Sequence, residues 1–185
     1  MNRCVLAAAL ALGLAGCARR DPLPVYGHVP EFSLVSENGQ AFDGSTLDGN
    51  VWVADFFFTS CPGPCPRMSS QMHWVQKQVA ELPGVKLVSF TVDPERDTPP
   101  VLAAYAKRFR ADSDRWHFLT GPRAELDTLD RDAFHLGNVD GTLMHATRFV
   151  LVDRQRRIRG YYRTDEGESL APLIADIRRL HREQP

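Results

Sequence analysis

Apolar and polar residues along this chain sort into short runs whose spacing predicts strands and helices in alternation. Val51-Trp52-Val53-Ala54-Asp55, continued through Phe58, is an almost unbroken apolar run, the pattern of a strand buried on both faces. Ser69–Leu82 has the spacing of an amphipathic helix, expected to open at Pro64. After a break at Pro83-Gly84, Val85–Val92 alternates as a second core strand. Thr98 stands ready to cap a helix over Val101–Arg110, with Pro99 or Pro100 in its first turn. Trp116–Thr120 reads as a short strand, Pro122–Asp132 as a helix, and Ala133–Thr142 as irregular. Thr147–Val152 and Arg157–Tyr162 pair across the turn Asp153-Arg154-Gln155, and Ser169–Arg182 closes the chain as an amphipathic helix. Ahead of all these, Phe32–Val35 and Gln40–Phe42 flank Asn38-Gly39, a hairpin with its turn residues in place.

This order predicts an α/β fold: a central mixed sheet flanked by helices, with an N-terminal β-hairpin. At 185 residues the chain has the size of one domain with a full core, and it shows no internal repeat or mid-chain linker. A formal net charge of −1 gives no sign of a polyanionic partner, so nucleic acid is not expected. The N-terminus has a different character. Arg3 precedes the apolar run Val5–Leu14, which is too short to span a membrane as a mature helix. Leu14-Ala15-Gly16-Cys17 then resembles the bacterial lipobox, which implies cleavage before Cys17 and acylation of its sulfur. Residues 1–16 are thus expected to be a lipoprotein signal peptide, 17–30 a lipidated, proline-rich tether, and 31–185 the folded domain. A plain signal peptide with an incidental Cys17 is the simpler alternative. Both place the domain outside the cytoplasm; lipidation would hold it on a membrane of the bacterial envelope, on the periplasmic side.

That reading changes the cysteine count. Cys4 leaves with the signal and Cys17 is acylated, so of the four cysteines the mature fold keeps Cys61 and Cys65. An isolated pair in an oxidising compartment defaults to a structural disulfide. Closing so short a loop removes little chain entropy, however, and a chain of this size needs no staple, so chemistry explains the pair better. The two stand in Phe56-Phe57-Phe58-Thr59-Ser60-Cys61-Pro62-Gly63-Pro64-Cys65-Pro66-Arg67-Met68, where the first long strand ends and a helix begins. The free N–H groups and dipole of a helix start favour negative charge, which predicts lowered thiol pKa values. A cysteine pair opening the first long helix of a β-α-β-α-β-α-β-β-α order is the thioredoxin-like arrangement.

Three residues separate the cysteines, where thioredoxin-type redox motifs have two. The wider spacing permits a disulfide, and it also permits both sulfurs to face one ion. Thiolates are soft donors that select Cu(I) over hard cations, and two cysteines fall short of the four ligands of a structural zinc site. His145 is the candidate third ligand. It lies at the mouth of the late strand, where thioredoxins place a cis-proline; this chain has no proline between Pro122 and Pro172. His135 is a lesser alternative. Met68, Met72, Trp52 and Trp116 are expected in the core, and Met144 would point away from His145 on a strand. His28, His73, His117 and His181 read as surface or packed residues. The basic run Arg154–Arg159 reads as a solvated hairpin face, with docking of an acidic partner the sharper alternative.

The motif Phe-Phe-Thr-Ser-Cys-Pro-Gly-Pro-Cys-Pro-Arg-Met, the loop Val-Ser-Phe-Thr-Val-Asp-Pro-Glu-Arg-Asp-Thr-Pro, Trp-His-Phe-Leu-Thr-Gly, and His145 ahead of Phe149-Val150-Leu151-Val152-Asp153 resemble the Sco/SenC family. The resemblance runs from about Val29 to the last helix. It implies that Cys61 and Cys65 bind Cu(I), and that His145 joins them for Cu(II). It implies a copper metallochaperone that serves the binuclear copper centre of cytochrome c oxidase, delivering copper or reducing that subunit's cysteines, with another envelope copper protein as the alternative partner. Asp93 matches an acidic residue that supports the metal site or partner docking; capping of its own loop is the alternative. The chain departs from the family pattern in a short Gly121–His145 segment and in Ala146, where serine or threonine is common. A metallochaperone needs Cys61, Cys65 and His145 together, whereas a thiol–disulfide oxidoreductase needs only the cysteines. A copper or redox sensor is a further alternative, and the dithiol spacing with His145 argues against a peroxidase.

Overall fold

The computed structural model describes residues 21–136 and 147–183. In chain order the elements are β1 (Gly27–His28), β2 (Ser33–Ser36), β3 (Ala41–Asp43), β4 (Val51–Phe57), α1 (Cys65–Gln78), β5 (Val85–Thr91), α2 (Pro99–Arg108), β6 (Trp116–Thr120), α3 (Arg123–Thr128), β7 (Arg148–Val152), β8 (Arg157–Arg163) and α4 (Ala171–Arg182). Among the described residues the strands form one mixed sheet in the order β1-β8-β7-β4-β5-β6-β2-β3. Strands β4, β5 and β6 run parallel, and β7 and β8 return antiparallel on the other side of β4. All seven residues of β4 are buried, as its unbroken apolar run requires of a central strand covered on both faces.

Each face of the sheet carries its own core. On one, Met68, Met72 and Val75 of α1 meet Leu102 and Tyr105 of α2 and Leu173, Ile174 and Ile177 of α4; Cys61 and Cys65 belong to this cluster. On the other, the β2–β3 hairpin and the α3 region pack Phe32, Leu34, Leu126, Leu129 and Phe134 against Phe56, Phe90 and Val150. The hairpin turns at Asn38-Gly39 with Gly39 at φ 78°, a backbone conformation that glycine takes without strain.

Four expectations change. Thr98 precedes α2 without a side-chain cap; only its carbonyl is used, accepting from the Leu102 N–H. The helix expected over Pro122–Asp132 is α-helical only to Thr128 and then widens over Leu129–Ala133. There the Phe134 N–H reaches back to the Leu129 carbonyl, and Leu129, Ala133, Phe134 and Leu136 are all buried. The stretch read as tether is docked over its second half. Gly27 and His28 pair with β8, Val29 is fully buried, and Arg159 donates to the carbonyls of Leu23 and Pro24. The packed structure therefore starts well before residue 31.

The basic run 154–159 is no solvated face either. Arg156 and Arg159 are buried, the first paired with Glu31 and Asp48, the second with Asp153. Arg154 donates to the last carbonyls of α4. Glu31 and Asp48 thus neutralise the buried Arg156 from the surface, while Arg159 and Asp153 are buried together.

Candidate functional site

The cysteine loop leaves the carboxyl end of β4, beside the carboxyl ends of β5 and β6, where open α/β sheets build their sites. Cys65 is the first residue of α1, with Pro64 before it and Pro66 in the first turn. Pro62 and Gly63, between the cysteines, are exposed. The two cysteines are not joined in a disulfide; Cys61 is 9% exposed and Cys65 fully buried, so Cys61 is the sulfur a partner meets first. The first turn of α1 gains no side-chain cap.

The expected lowering of the thiol pKa fails for Cys65. Burial comes first, and the hydrogen bond with Cys61 second, in pushing the Cys65 thiol well up; a backbone hydrogen bond at Phe58 opposes them. Withdrawal from water thus outweighs the helix terminus in the reduced state. Below the pair, Asp55 of β4 is buried among apolar residues. It accepts from the Ser89 hydroxyl (2.5 Å), which in turn accepts from Trp116 Nε1 (2.9 Å), while Asp55 Oδ2 has no partner among the described residues. Burial, opposed by that one hydrogen bond, pushes the Asp55 carboxyl up to about 7. Its charge also disfavours a thiolate at Cys65.

The acidic loop after β5 lies against the cysteine loop, and the residue that makes contact is not the one the sequence singled out. Asp93 is nearly buried, with its carboxylate toward Arg96 (3.0 Å) and Arg123 (3.9 Å). Its backbone carbonyl closes the turn by accepting from the N–H groups of Arg96 and Asp97. Asp97, fully buried, accepts from the Thr59 N–H (3.0 Å), the Thr59 hydroxyl and the Thr91 hydroxyl (2.6 Å). Thr59 lies two residues before Cys61. The pairing of an acid with a threonine 38 positions earlier has no local sequence signature, and only the adjacency of β4 and β5 reveals it.

His145 lies outside the described residues, as do Met144 and Cys17. The chain on its far side is described. Register runs from Trp52 opposite Val152 to Ala54 opposite Val150, so β7 begins toward the end of β4 from which the cysteine loop departs. Thr147 accepts from the Thr164 N–H (3.0 Å), and the Thr164 carbonyl accepts from Arg67 Nε and Gln71 Nε2 of α1, each at 3.2 Å. The strand entrance is thereby tied to the helix that carries Cys65. His135 is exposed, and Met68 and Met72 are fully buried in the core, as are Trp52 and Trp116. Among the described residues no three His, Cys, Asp or Glu side chains gather into a metal-binding group.

A mixed sheet flanked by helices, with a reduced dithiol at the junction of its central strand and first long helix, defines a thioredoxin-like protein. The SCO1/SenC family model matches residues 22–182, and the chain belongs to that family. It is similar to a SCO1/SenC family lipoprotein from Bacillus anthracis, at 32% identity and a TM-score of 0.77 over 87% of this chain and 98% of that one. It is similar to BsSco, at 30% identity and a TM-score of 0.77 over 89% and 98%. BsSco is described with a disulfide switch and as a member of the Sco family of cytochrome c oxidase assembly proteins. The fold is shared as well with ScoI of Bradyrhizobium japonicum, solved with copper bound, at 24% identity and a TM-score of 0.69 over 83% and 99%.

Proposed function

We propose that this chain is a copper metallochaperone held on an envelope membrane by a lipid at Cys17. Its cargo ion is bound by Cys61 and Cys65, with His145 joining them for Cu(II). Its acceptor is the copper-site subunit of cytochrome c oxidase, to which it gives copper or whose cysteines it reduces. The observation that carries the reading is a reduced, nearly buried dithiol at the β4–α1 junction of a SCO1/SenC chain. Two soft donors on a stiff proline-rich loop fit Cu(I). The high thiol pKa of Cys65 means that loading releases protons and strengthens as pH rises. The lipoprotein relative supports the anchor, and the copper-bound and oxidase-assembly relatives support cargo and acceptor.

A thiol–disulfide oxidoreductase is the second reading, favoured by the unequal exposure of the pair. Cys61 would attack a partner's disulfide and buried Cys65 would resolve the mixed disulfide. Cu(II) titration of the reduced domain, followed by visible absorption, separates the two. One equivalent bound with an intense thiolate-to-copper charge-transfer band supports the chaperone. Oxidation of the thiols with no band moves the weight to the oxidoreductase.

A further inference from the structure

We propose that Asp97 is the positioning residue of the cysteine loop: by holding Thr59 it fixes where Cys61 stands relative to Cys65, and so sets their dithiol–disulfide equilibrium. Asp97 is fully buried, and its carboxylate bonds go to the ends of other elements. Thr59 gives it both a backbone N–H and a hydroxyl, and Thr91, the last residue of β5, gives a third donor. The Thr59 N–H lies beyond the β4 ladder and before α1, where no regular element supplies an acceptor. A carboxylate only accepts, which suits three converging donors; an amide would turn an NH2 group toward one of them.

The consequence for the sulfurs follows from what each is attached to. Cys61 donates its N–H to the Phe58 carbonyl, so Phe58–Cys61 closes as one tight turn, with Thr59 inside it pinned by Asp97. Both sulfurs touch the same core cluster, but Cys65 has a support of its own, the first turn of α1. The separation of the two sulfurs is then the distance between two supports, the helix and the Asp97 pin. Releasing the pin frees Cys61 while leaving Cys65 in place. The inference rests on the reading that the pair is chemically active, and it does not need the metal.

Equilibration of the metal-free protein in glutathione buffers tests it. Oxidation forms the Cys61 Sγ–Cys65 Sγ bond, and two electrons and two protons pass to glutathione disulfide, giving two glutathiones. The populations are read by alkylation and mass. Asp97→Asn and Thr59→Val are expected to change the equilibrium constant tenfold or more, about 30 mV for this two-electron couple. Thr59→Ser, which keeps both donors, should stay within about twofold, well under 1 kcal/mol. Asp153→Asn, in the β7–β8 turn at the end of the sheet opposite the cysteine loop, should lower the unfolding midpoint and leave the constant unmoved. Wild-type constants in both Asp97→Asn and Thr59→Val, or an equal change in Asp153→Asn, would overturn the proposal. If Asp97→Asn does not fold, Thr59→Val decides alone. A wild-type pair that never closes would sink this inference together with the thiol-exchange reading, whereas failure of the copper reading shows only in the Cu(II) titration.

Discussion

Cys61 and Cys65 have the same side chain, and the fold makes them different reagents. One reaches the surface of a proline-stiffened loop; the other sits at a helix start with a thiol pKa pushed up by burial. If both ligate copper, Cys61→Ser and Cys65→Ser each abolish tight binding, since one remaining thiolate is too few donors for a stable site. His145→Ala should weaken Cu(II) and leave two-thiolate Cu(I) binding largely intact, as competition titrations with chelators of each oxidation state would show. Unchanged Cu(II) affinity in His145→Ala would remove that residue from the ligand set. Asp55 makes a second prediction, about pH. Its folded pKa of about 7 lies above the ordinary 3.8, so the folded state holds a proton that the unfolded chain has already lost. Stability is therefore full below about pH 4 and falls as pH rises toward 7. At about 1.4 kcal/mol per unit the loss is on the order of 4 kcal/mol. Asp55→Asn should gain on wild type as pH rises through that window, in urea melts at pH 4 and pH 8 (roughly the ends of the titration). A difference that does not vary with pH would mean that Asp55 is ionised in the fold.

At the scale of elements, hydrophobic periodicity placed nearly every helix and long strand within a few residues, because buried faces repeat at fixed intervals whatever the partner. It failed where long-range polar contacts decide the outcome. Nothing local in Val25-Tyr26-Gly27-His28 marks a strand; two residues pair there because Arg159, 135 positions later, offers a guanidinium to the Pro24 carbonyl and the β8 edge is open. The same long-range logic hid Asp97 behind Asp93. For Asp153, burial raises the carboxyl pKa, but hydrogen bonds from Arg159, Arg157 and two backbone N–H groups outweigh it and hold the group below its usual range. That stabilisation is present above the unfolded pKa and is lost as pH falls through the folded one. Arg159→Ala should cost about 3 kcal/mol by leaving a buried carboxylate short of a partner. It should also shift acid unfolding to higher pH and expose residues 21–29 to limited proteolysis. A variant with wild-type acid stability and a protected N-terminal segment would show that the apolar docking of Leu23 and Val29 suffices.

At the scale of the whole molecule, the docked strap bears on the proposed lipid anchor: it fixes how much chain lies between Cys17 and the domain. If Cys17 is acylated as proposed, three residues, 18–20, separate it from Asp21, whose carbonyl accepts from Arg179, a span of at most about 14 Å from Cys17 to Asp21. On that proposal the domain would be held close against the bilayer, on a short leash. Among the described residues no helix is long and apolar enough to cross a membrane, so anchoring falls to the lipid in this reading. Cys17→Ser should move the protein from the membrane to the soluble envelope fraction without altering its melting temperature or copper stoichiometry. Inserting about twenty Gly/Ser residues after Arg20 lengthens the leash by roughly 25 Å while keeping the anchor. For an acceptor embedded in the same membrane, close tethering raises the effective concentration of donor and acceptor. The longer leash should then lower oxidase assembly in cells, read as oxidase activity per amount of chaperone, at unchanged copper affinity. Equal assembly by the long-leash form and the Cys17→Ser form, both at the wild-type level, would show that the acceptor is met in solution and that the short tether does not serve delivery.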